Sequence, residues 1–228
     1  QSGCCLRPFH SFRTVRHTGR AGNRCAITAI GWDLRKTEQG KVGDWMKRIR
    51  YQVACSLDGF IAGPGDGVDW IPPEPSFDFE SLHAQFDTFL MGRRTYEAAR
   101  GMGESFEGKR VIVASRTLPA EDHPQAEVIG EGLERRVREL REEDGLDVWL
   151  YGGGSLFQQV LAWDLVDTVE LAILPVLLGS GVPFLAQANV VRRLELMSHQ
   201  AYPRGMILAE YAVIRENEQL KSGVGPAP

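Results

Sequence analysis

Cysteine is scarce in this sequence. The four present, Cys4, Cys5, Cys25 and Cys55, form no C-x-x-C pair and have no accompanying histidines at zinc-ligand spacing. That pattern argues against a disulfide scaffold and a structural zinc site, and it suits free thiols in a reducing cytoplasm; no metal is expected. Long apolar runs are missing as well. Stretches such as 171–178 are too short and too interrupted to cross a bilayer, and the apolar run of a secretory signal is lacking. There is no basic surplus either: the net charge of −4 divides into +5 over residues 1–45 and −9 over the remainder. An acidic body speaks against general nucleic-acid affinity, which needs a basic face, but leaves room for a local basic pocket. What is present, 43% hydrophobic and 25% charged residues in a chain of 228, is the composition of one globular domain with room for extra segments.

The first 45 residues differ from the rest. Arg7, Arg13, Arg16, Arg20 and Arg24 all precede the first acid, Asp33, and apolar periodicity is weak. This region is expected to be a disordered extension, or sequence upstream of a start at Met46. An Arg-rich, acid-poor organelle-targeting segment is the alternative. Residues 216–228 are polar and rich in Gly and Pro, as a flexible tail would be. A single domain is expected between them, over 46–215.

Within 46–215 strands and helices alternate. Strands are predicted over 50–55, 88–91, 110–114, 126–129, 148–151, 168–174 and 206–214, and helices over 78–86, 93–100, 133–141 and 155–162. A turn-rich loop occupies 63–75. In the first helix Phe79, Leu82 and Phe86 share one face. Such alternation implies an α/β fold, a mostly parallel central sheet with helices on both faces. The late strands lack a helix between them and imply an antiparallel C-terminal edge. A ligand belongs beyond the carboxyl ends of the parallel strands, where the glycine-rich turns cluster.

Three turns there carry candidate chemistry. In Tyr151-Gly152-Gly153-Gly154-Ser155, glycines leave backbone N–H groups open at the start of a helix, an arrangement suited to a pyrophosphate. In Met91-Gly92-Arg93-Arg94-Thr95-Tyr96-Glu97, Gly92 permits close backbone approach, Thr95 can cap or donate, and Arg93 and Arg94 bring several donors for phosphate oxygens. In Ala114-Ser115-Arg116-Thr117, Ser115 and Arg116 suit a terminal phosphate.

In order along the chain, MGRRTYE, VIVASR and YGGGSLF resemble the dihydrofolate reductase superfamily. SLDGFIAG and LPVLLGSGVPFL resemble its branch related to the reductase domain of bacterial riboflavin biosynthesis. The resemblance spans about 46–214. It implies a dihydrofolate reductase-like fold and NADPH as cofactor, with Gly92, Arg93, Arg94, Thr95, Ser115, Arg116, Gly152, Gly153, Gly154, Ser155 and Leu156 as its contacts. It places Asp58, Gly59 and Ile61 where the first strand leads into a loop near nicotinamide and substrate. Gly179, Ser180 and Gly181 match a structural bend. A homodimer is typical of the branch, with the apolar 171–178 stretch as its expected edge.

The family's carboxylate on the first helix finds its nearest match in Asp78, with Glu80 second and Asp58 as a further candidate. Near an apolar pocket such a group would have its pKa raised and could relay a proton; the alternative for Asp78 is a helix cap. Trp70 and Phe79 are candidate walls for a planar substrate, or ordinary core. Two departures stand out. Residues 76–86 contain no Arg or Lys to engage a ribose phosphate. Residues 1–45 lack the histidine-glutamate motif and paired cysteines of the deaminase half that often precedes this reductase. The first departure counts against a phosphoribosyl substrate; SLDG and LLGSGVPFL favour the ribosylaminouracil phosphate of riboflavin synthesis as the small-molecule substrate, and MGRRTYE favours dihydrofolate or another pterin. A non-catalytic nucleotide-binding module is the rival from another class.

Overall fold

The structure is a computed structural model that describes residues 46–186 and 191–215. The expectations for residues 1–45 and 216–228 lie outside the described residues. Ten strands and four helices follow in order: β1 (Ile49–Ser56), β2 (Phe60–Ala62), α1 (Phe79–His83), β3 (Phe86–Gly92), α2 (Arg93–Gly101), β4 (Arg110–Ala114), β5 (Glu127–Ile129), α3 (Leu133–Glu142), β6 (Asp147–Gly152), α4 (Gly154–Ala162), β7 (Thr168–Leu174), β8 (Val182–Pro183), β9 (Leu194–Ala201) and β10 (Ile207–Val213).

Eight strands form one sheet in the order β5-β4-β3-β6-β1-β7-β10-β9, and β2 pairs with β8 in a short ribbon. The first six strands of that order are parallel, while β7–β10 and β10–β9 are antiparallel. Side chains alternate across the pleat, and the alternation decides which helix covers them. Leu90, Ile112, Val148 and Leu150 point to the face packed by Val137 and Leu140 of α3 and by Leu156, Phe157 and Val160 of α4. Their neighbours Phe89, Met91, Val111, Val113 and Trp149 point to the opposite face, under Leu82 of α1 and Tyr96 of α2. Both faces of β3 and β4 are therefore buried, which is why their sequences read as continuous apolar runs.

A buried polar cluster underlies the amino end of this sheet. Arg50 donates from Nε to Glu170 Oε1 at 2.6 Å and from Nη2 to Glu170 Oε2 at 2.8 Å, and Thr168 adds a 2.7 Å bond to Oε1. Gln85 Oε1 accepts from Arg50 at 2.8 Å. Arg50 and Glu170 are only 6% and 4% exposed. Burial alone would lower the arginine pKa, but hydrogen bonding and charge from Glu170, with the charges of Asp147 and Glu210, hold it above its ordinary value.

Three expectations are corrected here. The first helix covers only Phe79–His83, and Phe86 belongs to β3. Phe79 is 61% exposed and does not share a buried face with Leu82. The apolar 171–178 stretch is no sheet edge, because β7 lies between β1 and β10; the edges are β5 and β9, and β9 is not among the expected strands.

Candidate cofactor and substrate cleft

The cleft begins where two central strands part. β1 and β6 are paired only at Ile49–Val148, Arg50–Trp149 and Tyr51–Leu150, although β1 continues to Ser56 and β6 to Gly152. Beyond Tyr51, β1 stays paired with β7 as far as Ser56–Leu174. Gln52 O, beyond the last β1–β6 pair, accepts instead from the Trp149 indole Nε1 at 2.9 Å. The carboxyl ends of β1 and β6 thus diverge at the centre of the sheet.

The three glycine- and arginine-bearing turns lie along one rim of this opening. In the ladders Gly92 stands beside Ala114, and Met91 beside Gly152. A Cβ added at Gly153 would lie 3.6 Å from Thr95 Oγ1 and 3.9 Å from Ile61 Cδ1, so MGRRTYE, YGGG and SLDGFIAG meet at that point. Gly152 takes φ +123°, a conformation reserved for glycine, with open space where a side chain would go. The Gly152–Gly153 peptide is cis. Gly154 plays a packing part: its Cβ would lie 2.4 Å from Pro183 O and 3.1 Å from Phe184 O.

Both helices that start at this rim lack a side-chain cap. Gly92 and Gly153 are the N-cap residues of α2 and α4, and neither offers a side-chain acceptor to the first-turn N–H groups. Two positive helix ends without side-chain caps are a fit for the phosphates of a dinucleotide. Ser115 Oγ already accepts from the N–H groups of Thr117 and Leu118, at 3.2 and 2.9 Å, which shapes the turn and leaves its own O–H to donate. Arg116 is exposed beside it. Arg94 is paired with Asp66 of the 63–75 loop, and Arg93 stands 3.9 Å from Glu97. Ser155 is exposed at the helix start, whereas Leu156 is 5% exposed and belongs to the core.

Asp58 ties two loops together. Its carboxylate accepts from Ser56 Oγ at 2.6 Å, from Gly179 N at 2.7 Å and from Leu178 N at 3.1 Å. Hydrogen bonds first from Ser56 and then from the two backbone N–H groups bring its pKa from 3.8 down to about 2. A carboxylate so saturated holds the SLDG turn, with Gly59 at φ +85°, against the 177–179 loop and positions Ile61. Because the folded pKa is depressed, this stabilisation is present above about pH 4 and is lost as pH falls toward 2. Asp58→Asn is therefore expected to melt earlier than the parent at neutral pH, with the gap closing across that window. Thermal scans at stepped pH measure it, and a gap that persists unchanged at pH 2 contradicts the assignment.

Asp78 departs from its expected setting. It is the N-cap of α1, accepting from Ser81 N at 3.0 Å and Ser81 Oγ at 2.6 Å, and these bonds lower its pKa where a raised value was expected. The capping alternative describes it, since an exposed carboxylate with two donors favours its ionised form. Glu80 follows in the exposed first turn of the helix. Trp70 is half-buried and donates from Nε1 to Gly67 O at 3.2 Å.

The helix-free part of the sheet face beside α1 offers the floor for a flat molecule. Ala54, Ala172 and Leu208 line up across β1, β7 and β10 there, all half-buried. At the rim Phe77 packs on Phe79 at 4.6 Å and on Tyr202 at 5.7 Å between ring centroids. Tyr202 lies in the turn between β9 and β10. This aromatic cluster therefore includes a residue with no local sequence signal, 123 positions after Phe79. The β9–β10 hairpin carries it there. A separate cavity of about 400 Å³, lined by Tyr96, Arg100, Phe106, Lys109 and Gln125 among others, mixes both charge signs and shares only Tyr96 with the three turns. Among the described residues no group of three or more His, Cys, Asp or Glu could hold a metal, and no helix is long and apolar enough to cross a membrane.

A central parallel sheet with an antiparallel edge and a cleft at diverging strand ends defines a dihydrofolate reductase-like protein. Residues 47–208 match the model of the RibD C-terminal domain, and the chain belongs to that family. It is 30% identical over 178 residues to the uncharacterized protein YyaP of Bacillus subtilis, covering 72% of this chain and 94% of that one. A crystal structure from Shewanella sp. PV-4 superposes with a TM-score of 0.65 at 24% identity, over 74% of this chain and 99% of the other. The diaminohydroxyphosphoribosylaminopyrimidine deaminase/5-amino-6-(5-phosphoribosylamino)uracil reductase of Thermotoga maritima gives 0.58 at 21% identity, over 74% of this chain and 57% of that longer one. These two structural likenesses support the fold.

Proposed function

We propose that this protein is an NADPH-dependent reductase that transfers hydride to a C=N or C=O bond of a flat heterocycle or its opened sugar derivative. The reading is of the 5-amino-6-(5-phosphoribosylamino)uracil reductase type. The observation that carries it is the meeting of three turns and two uncapped helix ends along one rim of the β1–β6 opening. Bound there, NADPH supplies the hydride. The chain's residues would anchor and orient it: the N–H groups following Gly92 and Gly153 would take pyrophosphate oxygens, Thr95 and Ser115 would donate, and Arg116 would neutralise charge. Trp70 and the Phe77–Phe79–Tyr202 wall exclude water from a planar substrate.

The proton is assigned to solvent or to the exposed Glu80. Asp58 and Asp78 are both held ionised by the donors around them, so neither is arranged as an acid. Oxidation of NADPH in the presence of a panel of pyrimidines and pterins tests the activity. Turnover of pterins alone favours a dihydrofolate-type reductase, and NADPH binding without turnover of any compound favours a nucleotide-binding module.

The position of Arg116 beside Ser115 favours the 2′-phosphate form of the cofactor. Arg116→Ala should weaken NADPH binding about 10- to 100-fold, the worth of a hydrogen bond to a charged group, and leave NADH binding nearly unchanged. Fluorescence titration with both cofactors measures this, and equal losses for the two would remove Arg116 from the phosphate site.

A further inference from the structure

Gln52 is the residue at which the floor of the cleft is electrically incomplete. It follows Tyr51, the last residue of β1 paired with β6, so its backbone stands at the root of the opening. Pleat alternation puts it on the same face as Ala54, and it is only 6% exposed. Its Oε1 is buried and has no hydrogen-bond partner. Leaving a buried carbonyl unpaired is costly, and native chains rarely do so without a use for the group.

The neighbours do not satisfy it. Glu170, beside Gln52 in the β1–β7 ladder, is an acceptor whose two oxygens are already taken by Arg50 and Thr168. The Trp149 indole N–H is spent on the Gln52 backbone carbonyl. Above Gln52 the floor is made of small side chains, Ala54 beside Ala172, which leaves height for a ring to lie on it. Tyr151 forms part of the adjoining strand and is half-buried, its phenol pushed up to about 12 by burial and so kept neutral.

We propose that Gln52 is a specificity-determining residue of the substrate cleft, its side-chain oxygen accepting a hydrogen bond from a ring N–H of a planar heterocycle. The inference rests on the reductase reading and narrows its substrate to the class whose edge carries a donor, as a cyclic amide does. An acceptor at the root of the cleft discriminates against rings in which that nitrogen is alkylated, because a methyl group cannot donate and leaves the oxygen unpaired.

The test uses 6-aminouracil and 6-amino-1,3-dimethyluracil, titrated calorimetrically into the full chain loaded with NADPH, for the parent and for Gln52→Leu. In the parent, 6-aminouracil should bind at least about tenfold tighter than its dimethyl analogue, the worth of one buried hydrogen bond. In Gln52→Leu that ratio should fall to about one while NADPH affinity is unchanged. The leucine variant should also melt at a higher temperature, since an orphaned acceptor has been removed; a glutamine held for structure alone would give a lower one. Gln52→Met, equally long and unbranched, carries the same comparison if the leucine protein is insoluble. A ratio that survives the substitution overturns the inference, as does failure of the NADPH-loaded parent to bind either uracil, and both leave the reductase reading standing. Failure of the parent to bind NADPH removes that reading and the inference together.

Discussion

Glu170→Ala is expected to destabilise the protein by about 3–5 kcal/mol, the usual cost of breaking a buried ion pair from one side. The size follows from what remains. Arg50 would keep its charge, 6% exposed, with the bidentate carboxylate gone and Asp147, 3.3 Å from Nη1, as its remaining anionic contact. Against a total stability of about 5–15 kcal/mol for a domain of ordinary size, the loss removes a large share of the folded state's margin. Replacing both partners, as Arg50→Met with Glu170→Leu, should recover most of it, because desolvating the pair offsets much of its attraction. Urea unfolding of the two proteins decides the matter. A single variant within 1 kcal/mol of the parent would show that water reaches the cluster and that the pair is not buried in solution.

The second large effect is steric. Gly154→Ala puts a methyl group 2.4 Å from Pro183 O, a backbone atom with no flexible end to yield. The α4 start must move away from β8, and overpacking of this kind costs about 1–3 kcal/mol or more. Alanine's better helix propensity returns at most about 1 kcal/mol, so the clash wins. Because α4 begins at the candidate phosphate rim, NADPH affinity should fall as well. Gly101→Ala is the control: at the end of α2 nothing lies within 4 Å of the added carbon, and the same substitution there should raise stability by about 0.5–1 kcal/mol. Melting temperatures that move in the same direction for both variants would contradict the geometry.

Much of the fold was legible in the chain because burial on both faces leaves a plain mark. The expected strands at 110–114 and 168–174 coincide with β4 and β7. The three turns were legible for a related reason: glycines and arginines at strand ends have few structural uses in combination. The first helix misled because Phe79, Leu82 and Phe86 keep helical spacing across what is a helix-to-strand junction, so a period of three to four residues persisted by coincidence. β9 was invisible for the opposite reason. All eight of its residues are exposed, so no alternation between a dry and a wet face is written into LELMSHQA, and pairing with β10 alone makes it a strand. Tyr202 and Gln52 had no local signature at all. One acquires its position from a distant hairpin, and the other from the place where a ladder stops.

That early stop has a mechanical consequence. The half built from β5, β4, β3 and β6 and the half built from β1, β7, β10 and β9 are joined at mid-sheet by three paired positions, against seven between β1 and β7. Relative rotation of the halves will therefore concentrate at this seam, and a guest wedged into the gap acts as a splint, stiffening both halves at once without touching most of either.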